Sequence, residues 1–245
     1  MALAFFCAQG VSKPDVLTIA YSENVEPFVY TKDDQVTGID VEIFKKLLTK
    51  MELTADFVHI PWARALKLSL AGEIDGLVSI FCDHSSDQIL VSSEYSYETK
   101  LSVLALKSRL FNADSLQQDN PKRTINVVRG SFSETQLSSV PKLLPIYLPE
   151  IKSQVRQLLQ GHVDFALSEE SWFLNEASAQ GQRNQVEVVK ALSRARVCMA
   201  FSEKSFAGQE DFMENVNRVL KELKHSGFIS NIIEQFNHLS NADSR

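Results

Sequence analysis

Four short groups of residues in this 245-residue chain combine types and spacings that could do chemistry. Pro61-Trp62-Ala63-Arg64-Ala65 sets an indole near a guanidinium, a flat apolar wall beside a fork for an anion. Val127-Val128-Arg129-Gly130-Ser131 runs an apolar segment into a glycine, and Ser133-Glu134-Thr135-Gln136 has the form of a capping box. Backbone amides at such a helix start, with the Ser131 hydroxyl beside them, suit a carboxylate or another anion. Glu169 follows the apolar run Val163–Leu167, where a carboxylate can form a charge-assisted hydrogen bond to a cation. Phe81 and Cys82 close a fourth run, Leu77–Phe81. Each group has a plainer reading. Trp62 and Phe81 can be packing residues, Arg64 and Arg129 solvated charges, and Glu169 an acid at the positive end of a helix beginning near Ser171.

Other chemistries find less support. The histidines (His59, His84, His162, His225 and His238) lack metal-ligand spacing, and no C-x-x-C accompanies them. The chain has no P-loop, no G-x-S-x-G and no G-x-G-x-x-G. Glu94, Glu169 and Glu170 could be nominated for acid–base work, but nothing singles out a pair. We therefore expect no catalytic residue, no metal and no cofactor. A net charge of −6, with both signs scattered, argues against a nucleic-acid partner, which would demand a basic face. No apolar run approaches the ~20 residues that span a bilayer.

The elements that must position these groups alternate. Strands are expected at Val16–Tyr21, Ala55–Ile60, Leu77–Phe81, Leu101–Leu106, Ile125–Val128, Ile146–Leu148, Val163–Leu167, Val186–Val189 and Val197–Phe201. Helices are expected at Ile39–Met51, from Pro61 to Gly72, from Ser133, and at Ile151–Gln160, Ser171–Gln180, Gln209–His225 and Phe228–Phe236. The pattern predicts an α/β protein whose sheets carry helices on both faces. Leu70-Ala-Gly72-Glu-Ile74-Asp75 is echoed by Leu159-Gln-Gly161-His-Val163-Asp164 at the same helix-to-strand turn. The echo suggests two similar lobes, divided near the polar stretch Asn112–Arg123.

Met1–Ala8 is a short apolar run before Gln9-Gly10-Val11-Ser12, like the hydrophobic end of a secretory leader, so residues 1–12 are expected to be a leader remnant. No Lys or Arg precedes Lys13, and a frayed apolar N-terminus is the alternative. Cys82 and Cys198 would remain in the mature chain, either paired in an oxidising compartment or as buried thiols.

Taken together, these pieces resemble the periplasmic solute-binding proteins of the polar-amino-acid class (extracellular solute-binding family 3), which serve ABC importers. The resemblance runs from about Asp15 to Phe236. It is carried by Glu26-Pro-Phe-Val-Tyr30, Gly38-Ile-Asp-Val-Glu42, Trp62…Leu66…Leu70-x-Gly72-x-x-Asp75-Gly76, Val128-Arg-Gly-Ser131 and Gly161-His-Val-Asp164. It implies a type II periplasmic-binding fold: lobe 1 from 14–106 and 195–239, lobe 2 from 107–194, joined by two crossing strands. It implies a cleft that takes a small polar ligand, an amino acid or something like one. Trp62, Arg64 and Phe81 would serve from lobe 1, with Arg129, Gly130, Ser131 and Glu169 from lobe 2, Glu169 holding an ammonium group. It further implies a monomer in the periplasm that meets a membrane permease or a sensor protein. By the same resemblance the Val197 strand lies antiparallel to Leu77–Phe81, which would bring Cys198 near Cys82.

One departure bears on the ligand. Members that bind amino acids carry an Arg soon after the strand matching Leu77–Phe81, where it clamps the α-carboxylate. Here the segment is Cys82-Asp-His-Ser-Ser-Asp87-Gln-Ile-Leu-Val91, and no Arg occurs between Arg64 and Arg109. Either the ligand is not a simple α-amino acid or Arg64 takes over the task. Asp83 and His84 would suit a positive or hydrogen-bonding ligand group, unless they form only a polar loop. Enzymes such as cyclohexadienyl dehydratases, and sensor modules, share the scaffold and are the alternative readings.

Overall fold

In the computed structural model, residues 16–22, 26–83, 88–116, 119–120 and 122–242 are described, with side chains to residue 236. The leader-like residues 1–12 and the rim residues His84–Asp87 lie outside them. The chain forms β1 (Leu17–Tyr21), β2 (Tyr30–Lys32), β3 (Gln35–Thr37), α1 (Ile39–Lys50), β4 (Ala55–His59), α2 (Trp62–Ala71), β5 (Gly76–Phe81), β6 (Ile89–Val91) and β7 (Tyr97–Leu106). Then come β8 (Thr124–Val128), α3 (Phe132–Thr135), β9 (Leu144–Leu148), α4 (Ile151–Leu159), β10 (Phe165–Glu169), α5 (Glu170–Ala179), β11 (Val186–Ser202), α6 (Phe212–His225) and α7 (Phe228–Ala242). No helix among the described residues is long and apolar enough to cross a membrane.

One mixed sheet runs in the order β4-β1-β5-β11-β7-β10-β8-β9, with β6 also paired to β11. β1 lies parallel to β4 and β5. β8 lies parallel to β9 and β10. Between these two parallel groups stand β7 and β11, antiparallel to each other and to their outer neighbours. The chain therefore passes between the groups only through two long strands. Val186–Val189 and Val197–Phe201, expected as separate strands, are the two ends of the 17-residue β11. Its middle, Lys190–Arg196, is mostly polar and exposed, and so is the start of β7. One face of this ribbon is exposed, while the other buries Ala195 and half-buries Tyr97 and Thr99, so apolar periodicity marks it only weakly.

The repeated L-x-G-x-[IV]-D turn has a mechanical role in both groups. Gly72 and Gly161 end their helices at φ +77° and +71°, left-handed values that glycine adopts without strain. Each following aspartate then ties the next strand to the first strand of its group. Asp75 Oδ2 accepts from the Thr18 N–H at 2.8 Å. Asp164 Oδ2 accepts from the Thr124 N–H at 2.8 Å. β5 is thereby pinned beside β1, and β10 beside β8.

Several boundaries shift from the expected ones. Ser131, not Ser133, is the N-cap of α3, which is a single turn. The strand expected at Val163–Leu167 runs to Glu169. α6 starts at Phe212, where its apolar stripe (Phe212, Val216, Val219, Leu220, Leu223) becomes buried. Cys82 and Cys198 are bonded, Sγ–Sγ 2.10 Å, joining the end of β5 to β11. The bond spans 116 residues of chain, and cross-linking so long a loop removes unfolded-state entropy. Reduction, or Cys82→Ser with Cys198→Ser, is expected to lower stability by about 2–4 kcal/mol, a Tm drop of roughly 5–15 °C. Calorimetry with and without dithiothreitol checks this, and an unchanged Tm would show that the bond is energetically idle.

Candidate functional site

Parallel strands followed by helices leave a crevice at their C-terminal ends, and loops there carry side chains toward a common point. β1 delivers Ala20 and Tyr21, and β5 delivers Leu77–Phe81. The start of α2 delivers Trp62 and Ala65, the turn after β8 delivers Ser131 and Phe132, and α5 after β10 delivers Trp172. Together they enclose a cavity of about 60 Å³, room for a few waters or a compact ligand. Its wall is largely apolar and includes five aromatic side chains. Phe81 meets Phe132 with ring centroids 4.9 Å apart and Trp172 at 6.3 Å. The Trp62 indole N–H donates to the Gly130 carbonyl at 2.6 Å. That bond links the wall built on the first parallel group to the wall built on the second.

Of the expected site residues, Trp62, Phe81 and Ser131 line the cavity, and Gly130 abuts it through Trp62. Arg64 does not. α2 turns Trp62, Ala65 and Ser69 inward, and Arg64 stays exposed. Arg129 is also exposed, its guanidinium 5.1 Å over the Tyr147 ring on the β9 side. Neither guanidinium lines the cavity. Asp83, at the rim, forms an exposed ion pair with Arg196 at 3.4 Å. Among the described residues lining the cavity, none is Lys, Arg or His.

The anion site expected at Gly130–Gln136 is filled from within. The Gly130 N–H donates to the Glu134 carboxylate. The Ser131 hydroxyl donates to the Val128 carbonyl at 2.7 Å and accepts from the Glu134 N–H at 3.4 Å. The chain's own carboxylate sits where a ligand's was expected.

Behind the wall lie two buried acids. Glu169, 3% exposed, caps α5 by accepting from the N–H groups of Ser171 and Trp172. Asp40, 1% exposed, accepts from the Ser79 hydroxyl and, at 2.7 Å, from the Tyr97 hydroxyl. No basic side chain among the described residues forms an ion pair with either. Burial pushes Glu169 up to about 8, opposed by its backbone hydrogen bonds and reinforced by the Asp40 charge. Burial pushes Asp40 up to about 6 against the two hydroxyl bonds. Burial, and then Asp40 beside it, holds the Tyr97 phenol well above its ordinary range.

Sequence reasoning singles out Glu169 but passes over Asp40, Tyr97, Phe132 and Trp172 as site residues. Asp40 had a signal: an acid between Ile39 and Val41, both buried on a helix that has to pack. Tyr97 had none, because it lies in the polar ribbon.

Residues 17–238 match the family model for bacterial extracellular solute-binding proteins, family 3, and the chain belongs to that family. The L-cystine-binding protein TcyA of Bacillus subtilis is 22% identical over 230 residues, covering 93% of this chain and 83% of TcyA. An ancestral arginine-binding protein bound to arginine superposes with a TM-score of 0.76 at 17% identity, covering 91% of this chain and 98% of that one. The amino acid ABC transporter substrate-binding protein AbpA of Streptococcus pneumoniae, bound to L-arginine, gives 0.74 at 19% identity, covering 92% and 96%. An ancestral amino-acid-binding protein, a precursor of cyclohexadienyl dehydratase, gives 0.73 at 17% identity, covering 91% and 95%. The architecture is thus the two-lobed α/β type II periplasmic-binding fold.

The buried acids make a pH prediction. A carboxyl whose pKa is higher folded than unfolded binds more protons in the folded state, so unfolding free energy falls as pH rises between the two values. For Glu169 that window runs from its ordinary 4.5 to about 8. The loss across it is on the order of 5 kcal/mol. Asp40 adds a smaller loss that ends near pH 6. Glu169→Gln should flatten denaturation free energies between pH 6 and 8, and an unaltered slope in that variant would contradict the assignment.

Proposed function

We propose that this chain is a periplasmic solute-binding receptor, not an enzyme, that closes on a small amino-acid or amino-acid-like ligand and hands it to the membrane permease of an ABC importer. The observation that carries this reading is one cavity whose walls come from both parallel groups and meet through Trp62 and Gly130. Lobe 1 is taken as 14–106 with 195–239, and lobe 2 as 107–194. β7 and β11 serve as the crossing strands about which the lobes, acting as a monomer, open and close. A ligand touching Trp62 and Phe81 on one side and Ser131 and Trp172 on the other gains its full contact only in the closed form, and so shifts that equilibrium. A binding role suits the acids as well, because Asp40 and Glu169 stand behind the cavity wall and not on it.

The test is thermal unfolding of the chain lacking residues 1–12 against amino acids, polyamines, organic acids, small peptides and prephenate. A ligand at a hundredfold above its Kd adds about 2.7 kcal/mol. At least one compound class should raise Tm saturably, and Trp62→Ala should weaken that ligand tenfold or more. No saturable ligand, a Trp62→Ala affinity equal to wild type, or product formed from prephenate would overturn the reading.

A further inference from the structure

Resting on the receptor reading above, we infer that the cavity selects a small organic monoamine with an apolar or aromatic body and no carboxylate. Four observations converge on that chemistry. First, at the Gly130–Ser131 turn the groups that could have received a carboxylate are spoken for. The Gly130 amide and the Ser131 hydroxyl are satisfied within the turn, and Glu134 adds a negative charge at that place. A ligand anion there would be repelled and would find no donor replacing its water. Second, the described lining holds no basic side chain, and both Arg64 and Arg129 are turned to other surroundings.

Third, Tyr21, Trp62, Phe81, Phe132 and Trp172 put five aromatic rings around one small space. The faces of such rings are electrostatically negative and attract an organic cation while burying its hydrocarbon. Fourth, the field behind the rings has the same sign. Asp40 lies directly behind Ser79, and Glu169 is tied to the backbone of Trp172. Both are buried without a cationic partner among the described residues. An ammonium entering the cavity supplies the opposite charge that Asp40 lacks and favours ionisation of Glu169, whereas a carboxylate adds a second negative group near Asp40. A zwitterionic amino acid falls between: its ammonium is favoured, and its carboxylate has no place.

Matched trios sharing one carbon skeleton test the selection. One is phenethylamine, phenylalanine and 3-phenylpropanoate; a smaller one is isobutylamine, valine and 3-methylbutanoate. Titration calorimetry of the wild-type protein at pH 7.5 should show, in at least one trio, the amine binding tenfold or more tighter than both partners. Glu169→Gln and Asp40→Asn, each confirmed as folded by circular dichroism, should shrink that ratio at least tenfold. The wild-type ratio decides the matter alone if a variant fails to fold. An amino acid or carboxylate that binds as tightly as its amine would overturn this inference and leave the receptor reading standing. Absence of binding by every trio would also overturn it, and the broader ligand panel would then judge the receptor reading separately.

Discussion

The antiparallel pairing of β7 with β11 is the constraint on which the rest of this molecule depends. Two groups of parallel strands, each with its own helices, meet in the sheet only at these strands. β11 pairs along its first part with β7 and along its last part with β5 and β6. One uninterrupted strand thus fixes how the crevice at the end of β5 faces the crevice at the ends of β8 and β10. The Cys82–Cys198 bond fastens that strand to β5, one residue beyond Phe81 in the cavity wall. A two-stranded ribbon exposed on one face is a weak element by itself. Here it is held by the buried groups it joins, so a bend within it can change the separation of two stiff walls without disturbing either core.

Satisfaction of polar groups shapes the site as much as packing does. Two helix starts facing the cavity take a carboxylate of the chain, Glu134 at α3 and Glu169 at α5. Those positions elsewhere invite a bound anion. Filling them internally stabilises the walls and leaves the cavity apolar and aromatic. Asp40, held by Ser79 and Tyr97, brings a first-group helix, the β5 strand and the crossing strand β7 to one buried carboxylate. The electrostatic character of the site is therefore set by residues a ligand need not touch.

Much of this was legible in the sequence, and what was not has a physical reason. The alternation of strands and helices, and the paired turns at Gly72 and Gly161, follow from local periodicity and from a backbone that only glycine adopts easily. The role of Asp75 and Asp164 in pinning neighbouring strands explains why that turn recurs. The aromatic wall was half visible. Trp62 begins a helix and Phe81 ends a strand, each near a turn, but Phe132 precedes the expected cap at Ser133, and Trp172 lies three residues past Glu169. Arg64 and Arg129 lie outside the cavity lining; a charge near the right turn says nothing about which face of the helix or strand carries it. The polar ribbon, with Tyr97 at its start, obeys no hydrophobic period and could be seen only once both strands were paired.

The chain's two tryptophans, Trp62 and Trp172, stand in the two walls of the same cavity. Their emission therefore reports on both walls of the site. The most direct test of the account is a fluorescence titration with any solute that raises the melting temperature, read in wild type and in Trp62→Phe and Trp172→Phe. The account predicts a saturable change in intensity or wavelength, with each single-tryptophan protein retaining a saturable part of it. A solute that stabilises the fold while leaving both indoles silent would be binding elsewhere, and would contradict the placement of the ligand between these walls.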